Sequence, residues 1–278
     1  KGAGDLTYDQ AKEVFNAILA GSVSELELGA FCIAMRIKGE SVSELNGFMD
    51  ALNPFIGRLN TGSRQTIVLP SYNGARKQAN LTPLLAGILA SQGFMVLVQG
   101  IKSDPNRVTS FEIFEQLQWP ILGSCSDLGK HLNQHAPIFC PIGVISPALE
   151  RLLNIRQTIG LRNTGHVLAK LINPCTKSAW QISNYTHPEY PKVLDDYFSN
   201  RKLNVVLMRG HEGEPIASLQ RIPKLQFIWT DGLRKSSDEV HCATKLLMEN
   251  LDASASANFI NEVLANMKPC PETINLQV

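Results

Sequence analysis

Two short apolar runs, parted by a polar loop and one helix-length segment, fall within residues 65–110, QTIVLPSYNGARKQANLTPLLAGILASQGFMVLVQGIKSDPNRVTS. The first run, 66–69, reads as a buried strand, and the second, 94–99, as another. Between them lies a turn-rich loop (Pro70, Ser71, Asn73, Gly74), followed by two cations, Arg76 and Lys77. Asn80 or Thr82 is placed to cap a helix over 83–92, with Pro83 at its first position and Gly93 beyond its end. Strand, loop, helix and strand make half of a parallel α/β unit. Free N–H groups at such a loop, with the positive end of the helix dipole, favour an anion. The same stretch also fits an ordinary βα loop with solvated charges.

The first fifty residues differ in kind. Thr7 with Gln10, Ser24 with Glu27 and Ser41 with Glu44 form three capping boxes, each ahead of a helical apolar stripe. Three helices this short cannot bury their apolar faces on one another alone, so they need the α/β body or a second copy. After Thr61 strands and helices alternate. A capping box of Thr109 and Glu112 opens a helix over 110–117, and 126–133 reads as helical. A strand over 137–142 follows, then helices over 147–160 and 162–171, and strands over 205–208 and 225–229. Residues 232–257 read as a mobile connection to a helix over 258–267.

At 278 residues, 44% hydrophobic and 18% charged, the composition is that of a globular chain with an ample core. No apolar run approaches the ~18–20 residues that cross a bilayer, and no secretory leader is visible. The six cysteines carry no C-x-x-C pair, so neither a zinc site nor a disulfide framework is suggested, and a cytoplasmic setting is the expectation. Charge is unevenly spread. Residues 1–60 carry −3, 61–235 carry +8 and 236–278 carry −4, which together give the net +1. A basic middle suits a polyanionic or phosphorylated ligand.

The stretch LTYDQAKEVFNAILAGSVSELELGAFCIAMRIKGESVSEL resembles the amino-terminal helical segment of the anthranilate phosphoribosyltransferases and the wider glycosyltransferase group with nucleoside-phosphorylase-type domains. The resemblance runs to at least Pro174. It implies an α/β protein: a small helical domain plus a larger domain with a mainly parallel central sheet flanked by helices. Residues 1–62 would form the helical, dimerising domain, completed by 163–175, and 63–278 the phosphoribosyltransferase-like domain. Lys1 is not a natural start, and Val278 comes where relatives continue with one more helix, so both termini are expected to be incomplete.

The resemblance also implies a site, and the departures from it are informative. SYNGARKQANLTP stands at the family's glycine-rich pyrophosphate loop. Asn80 and Thr82 match the Asn and Ser of Asn-x-Ser-Thr, Pro83 replaces its Thr, and Tyr72 and Asn73 replace glycines, with Tyr72 expected to fill ligand space. In the family's basic loop Val98 replaces the phosphate-binding Lys. An IKSDP insertion carries Lys102, and Asn106, Arg107, Thr109 and Ser110 follow. IRQTIGLRNTGHVLAKLINP matches IGxRTxFNxLGPLxNP, and its Arg162 aligns with the Arg that contacts the aromatic acceptor. A helix-start phosphate contact or a surface salt bridge would equally explain Arg162. The family's Asp-Glu pair, which holds Mg²⁺ on the pyrophosphate, becomes Glu214 and Pro215, and Arg209 replaces a His. Mg²⁺ needs hard oxygen ligands, so Glu214 is the one remnant, with Glu212 a weak substitute.

Other candidates are weaker. His131 and His135 have metal-like spacing but no third ligand and fit an exposed face. His166, one turn from Arg162, is more simply structural, and Trp180 and Trp229 read as core.

Glycines, the phosphate Lys and the Mg²⁺ carboxylates are gone, while Arg76, Lys77, Lys102, Arg107 and Arg209 gather on loops at one end of the sheet. Phosphate-binding residues are therefore expected among Asn73, Gly74, Arg76, Lys77, Asn80, Thr82, Lys102, Asn106, Arg107, Thr109, Ser110, Arg162 and Arg209. The chain looks much like a subgroup described as nucleic-acid-binding homodimers without the parent activity, which implies sequence-independent binding of nucleic acid, no membrane and no cofactor. The alternative is a Mg²⁺-dependent phosphoribosyltransferase acting on an unidentified aromatic or nitrogenous acceptor.

Overall fold

The computed structural model describes residues 4–242, 248 and 250–278. Three helices come first, α1 (Tyr8–Ala20), α2 (Glu25–Lys38) and α3 (Val42–Leu52), each opened by the capping box read from the sequence. α1 and α3 pack closely because position 47 is Gly: a Cβ there would lie 2.5 Å from the Tyr8 carbonyl oxygen. Phe15 and Phe48 meet with ring centroids 5.0 Å apart. α2 is different. It buries only Cys32 and Met35 and leaves Leu26 and Ile37 more than 80% exposed.

The α/β part begins with β1 (Thr66–Ser71), α4 (Thr82–Ser91), β2 (Met95–Gly100), α5 (Ser110–Leu117) and β3 (Ile138–Pro141). Short helices α6 (Ile142–Ile145), α7 (Pro147–Asn154), α8 (Arg156–Ile159) and α9 (Thr164–Ala169) lead to β4 (Trp180–Tyr185), α10 (Tyr190–Arg201) and β5 (Asn204–Arg209). Four small strands, β6 (Arg221–Ile222), β7 (Gln226–Ile228), β8 (Arg234–Ser236) and β9 (Val240–His241), precede α11 (Ala253–Leu264) and α12 (Glu272–Asn275). The main sheet has the order β3-β2-β1-β4-β5-β7-β8, parallel through β5 and antiparallel at β7 and β8. All six residues of β1 and of β2 are buried, as a sheet covered on both faces requires. One core lies between the sheet and α1–α3, the other under α4, α5 and α11.

Several expectations are corrected. Neither Asn80 nor Thr82 caps α4: the cap is Leu81, without a side-chain bond, and the Asn80 side-chain carbonyl accepts from the Thr82 N–H at 3.2 Å instead. Residues 125–131 form 3₁₀ turns, and the helix expected over 147–160 is broken at Ile155. α9 is shorter than expected because Asn163 caps it. The stretch 232–257 holds β8, β9 and the start of α11, which Asp252 caps, so the expected helix begins earlier than 258; residues 243–247 and 249 lie outside the described residues. β4 and α10 were not foreseen. Trp180, the first residue of β4, and Trp229 pack edge to face at 5.5 Å, both half-buried rather than in the core.

Candidate functional site

The carboxyl ends of the parallel strands carry two loops that interlock. Residues 72–81 follow β1. Gly74 turns through φ +64°, and a Cβ on it would come within 2.7 Å of the Val108 carbonyl, to which the loop is laced by Ala75. This conformation points the N–H groups of Asn73 and Gly74 the same way as the hydroxyls of Ser71 and Thr82, an anion nest. The nest is filled. Glu214, on the loop after β5, is wholly buried there. Its Oε1 accepts from the N–H of Asn73 and of Gly74, both at 2.8 Å. Its Oε2 accepts from Thr82 Oγ1 at 3.1 Å and from Ser71 Oγ.

A second nest lies one turn further along. The N–H groups of Lys77 and Arg76 donate to Glu212 Oε1 at 2.8 and 3.2 Å, and Arg107 Nη1 reaches its Oε2 at 3.3 Å. Burial pushes the Glu212 carboxyl up, but the N–H groups of Lys77 and Arg76 outweigh it and hold the group below the usual range. Residues 211–214 take a shape that few sequences allow. Glu212 (φ +51°) and Gly213 (φ +90°) are both left-handed, and a Cβ on Gly213 would overlap the Asn73 amide nitrogen. Asn73 Nδ2 donates to the Glu212 carbonyl at 2.9 Å, and Lys170 Nζ to that of Gly213 at 2.8 Å.

The residues expected to meet ligand phosphate therefore divide. Asn73, Gly74 and Thr82 are spent on Glu214. Ser110 Oγ lies 2.6 Å from Ser71 Oγ and accepts from Asn80 Nδ2 at 3.2 Å, so both stay inside. Thr109 caps α5, and Arg107 is held by Glu212 and the Gly74 carbonyl. Tyr72, expected to fill ligand space, is instead packed in the core on the helical side. Arg76, Lys77, Lys102, Asn106 and Arg209 are exposed, and the four cations among them have no carboxylate partner among the described residues.

Mg²⁺ does not fit here. Glu214 already accepts four hydrogen bonds, Glu212 is paired with Arg107, and no group of three His, Cys, Asp or Glu side chains gathers among the described residues. His131 is turned to Gln134 at 3.1 Å, and His135 is exposed.

Behind the interlocked loops, a cavity of about 190 Å³ opens between α2, α9, α10 and the end of β4, with Arg36, Arg162, His166, Lys170 and Asn184 in its wall. Burial, then the nearby Arg156 and Arg107, pull Arg162 down to about 10. Burial pulls Lys170 to about 8 against the opposing pull of Glu214. Asn184 Nδ2 is buried with no partner. The wall is short of negative charge, with Glu40 the one carboxylate in it, and burial pushes that group up. Sequence reasoning missed Lys170, although it stands where the motif IGxRTxFNxLGPLxNP has its Pro.

His166 gives this wall a pH signature. Burial and the neighbouring Arg162 pull its pKa from 6.5 to about 3, so the fold holds it neutral. Its stabilising contribution is complete above pH 6.5 and is lost as pH falls towards about 3, because the unfolded chain takes the proton first. His166→Asn is expected to flatten the acid limb of the urea-midpoint curve over that interval. An unchanged limb would assign the acid lability elsewhere.

Comparison with known proteins follows the same lines. Residues 1–53 match the glycosyl transferase family helical bundle domain. YbiB, an uncharacterized protein of Escherichia coli (strain K12), is 40% identical over 281 residues, covering 99% of this chain and 88% of YbiB. The anthranilate phosphoribosyltransferase of Legionella pneumophila (strain Paris) is 27% identical over 170 residues, so the chain spans about half the length of that enzyme, 49%. Among solved structures, anthranilate phosphoribosyltransferase from Thermus thermophilus superposes with a TM-score of 0.78 at 19% identity, over 98% of this chain and 84% of that one. The Saccharomyces cerevisiae enzyme in complex with PRPP and Mg gives 0.73 at 14% identity, over 96% and 79%. The described residues include no helix long and apolar enough to cross a membrane.

Proposed function

The chain belongs to the family of YbiB and has the fold of the anthranilate phosphoribosyltransferases, and from that premise we propose that it binds nucleic acid without regard to sequence. One observation carries the reading: the two nests are filled by Glu214 and Glu212, while Arg76, Lys77, Lys102 and Arg209 remain exposed around them. A phosphate arriving at this end of the sheet meets side-chain cations rather than a backbone cradle. Such contacts neutralise a polymer's phosphates one by one, release counterions and carry no base readout.

A second copy of the chain is the natural partner for α2. Leu26, Ala30, Ile33 and Ile37 are exposed at helical spacing, and an apolar stripe of that kind favours burial against a like surface. Two copies would set two basic surfaces on one particle. Sedimentation equilibrium is expected to read twice the 30.6 kDa chain mass, and the mass of one chain at every concentration would refute the pairing.

The enzyme reading has one observation in its favour, the cation-lined cavity beside Arg162, which would suit a small anionic acceptor. It needs the donor's diphosphate to displace two buried carboxylates. A pair of titrations separates the readings. A short single-stranded oligonucleotide is expected to bind with an affinity that falls steeply with salt, and phosphoribosyl pyrophosphate with Mg²⁺ is expected to give no heat. Saturable heat from the second titration, with none from the first, would reverse the assignment.

A further inference from the structure

We propose that residues 211–214 act as an intramolecular ligand: the Glu214 and Glu212 carboxylates occupy two nests built for oxyanions and keep them shut. The inference goes beyond nucleic-acid binding and does not depend on it.

The donor set is the first ground. Glu214 is held by two backbone N–H groups and two hydroxyls, and among the described residues no Lys or Arg side chain bonds to it. Converging N–H groups and hydroxyls are how protein loops hold phosphate or sulfate, with hydrogen bonds spread over several oxygens. Glu212 repeats the arrangement with the next pair of N–H groups, those of Arg76 and Lys77. Two residues apart in the chain, the carboxylates both face the loop after β1.

The second ground is the backbone that delivers them. Left-handed Glu212 is a costly conformation for a residue other than glycine, and Gly213 beside it supplies the second left-handed turn without strain. Besides the turn's own bond from the Glu214 N–H to the His211 carbonyl at 2.9 Å, the contacts that hold it are those to Asn73 and Lys170. A buried carboxylate is destabilising without filled acceptors, and four dry donors are destabilising without an acceptor. Neither loop therefore stands in this form without the other. Take away the Glu214 side chain, and the donors face a cavity of carboxylate size with the Lys170 ammonium on the loop beside it. The vacated nest is a receptor for a small oxyanion, a carboxylate or a phosphate.

Chemical rescue tests this without any oligonucleotide, so its failure is separate from failure of the nucleic-acid reading. Thermal unfolding of wild type, Glu214→Ala and Glu214→Gln is followed in formate, in inorganic phosphate and in chloride at matched ionic strength. Glu214→Ala is expected to unfold about 10 °C below wild type in chloride and to regain at least half of that loss in formate. Phosphate restores the same stability if the vacated space admits it. Wild type should show only the general effect of each anion on a folded protein, which is subtracted from the shifts of the variants. Glu214→Gln fills the space, so it should lose stability without being rescued. Equal midpoints for Glu214→Ala in formate and chloride would overturn the proposal. Should that variant fail to fold in chloride, its refolding yield in formate is read against chloride, together with Glu212→Ala at the shallower nest; no gain in either counts equally against it.

Discussion

Replacing Gly213 with alanine is expected to destabilise the protein by about 2–6 kcal/mol, among the larger losses a single methyl can cause. Two costs add. An L-residue forced to φ +90° carries roughly 1–3 kcal/mol of backbone strain. The new Cβ would also overlap the Asn73 side-chain nitrogen and press on Lys170 Nζ at 3.3 Å. To make room, Asn73 must give up its bond to the Glu212 carbonyl in a site where it is only 3% exposed, and an unsatisfied buried polar group costs about 1–3 kcal/mol more. Gly232 provides the control. It has nearly the same φ, +88°, and nothing within 4 Å of its would-be Cβ, so Gly232→Ala reports strain alone. Urea unfolding of the two variants gives the cost of prying the loops apart as a difference. Equal losses would mean that Asn73 yields freely and that the interlock is loose.

The second large effect concerns binding. A variant with Arg76→Ala, Lys77→Ala, Lys102→Ala and Arg209→Ala is expected to lose about a thousandfold in affinity for single-stranded oligonucleotide near 0.1 M salt, with the salt slope shallower by about 3. Both follow from four phosphate contacts, each worth about 0.7 in slope on a single strand. The loss should be the same for unrelated base sequences, since phosphate contacts carry no sequence information. Stability should change little: the four side chains are exposed, and alanine keeps the N–H groups at 76 and 77 that hold Glu212. An unaltered slope would move the nucleic-acid surface elsewhere on the molecule.

Local chemistry was legible where its cause is local. The four capping boxes at Thr7, Ser24, Ser41 and Thr109 need only residues three apart, and all four form. β1, β2 and β5 announce themselves as buried apolar runs. β4 does not, because Gln181, Ser183 and Asn184 interrupt it, and it is buried nonetheless; Gln181 answers its polarity by donating to the Lys170 carbonyl. α10 hides behind a weak apolar stripe and is fixed by Tyr197 and Phe198 in the core and by Arg201 on Asp50. For the site, the loop after β1 and the family resemblance together pointed to cations near phosphate-type loops, and Arg76, Lys77, Lys102 and Arg209 are exposed there. What no spacing could disclose is that Glu214 and Glu212 would cross from another loop and take the donors for themselves. That depends on β4 lying between β1 and β5, a fact of topology rather than of neighbouring letters.

Ser71 and Glu214 are 143 residues apart. On a ribosome adding residues at ordinary speed, roughly 10–30 s separate the emergence of the first from that of the second. Throughout that interval the acid that will claim these N–H groups and hydroxyls has not been made, and for most of it neither has β4, the neighbour of β1. The nest can close only once the chain has passed β5, the last parallel strand, and reached the loop that carries the two carboxylates.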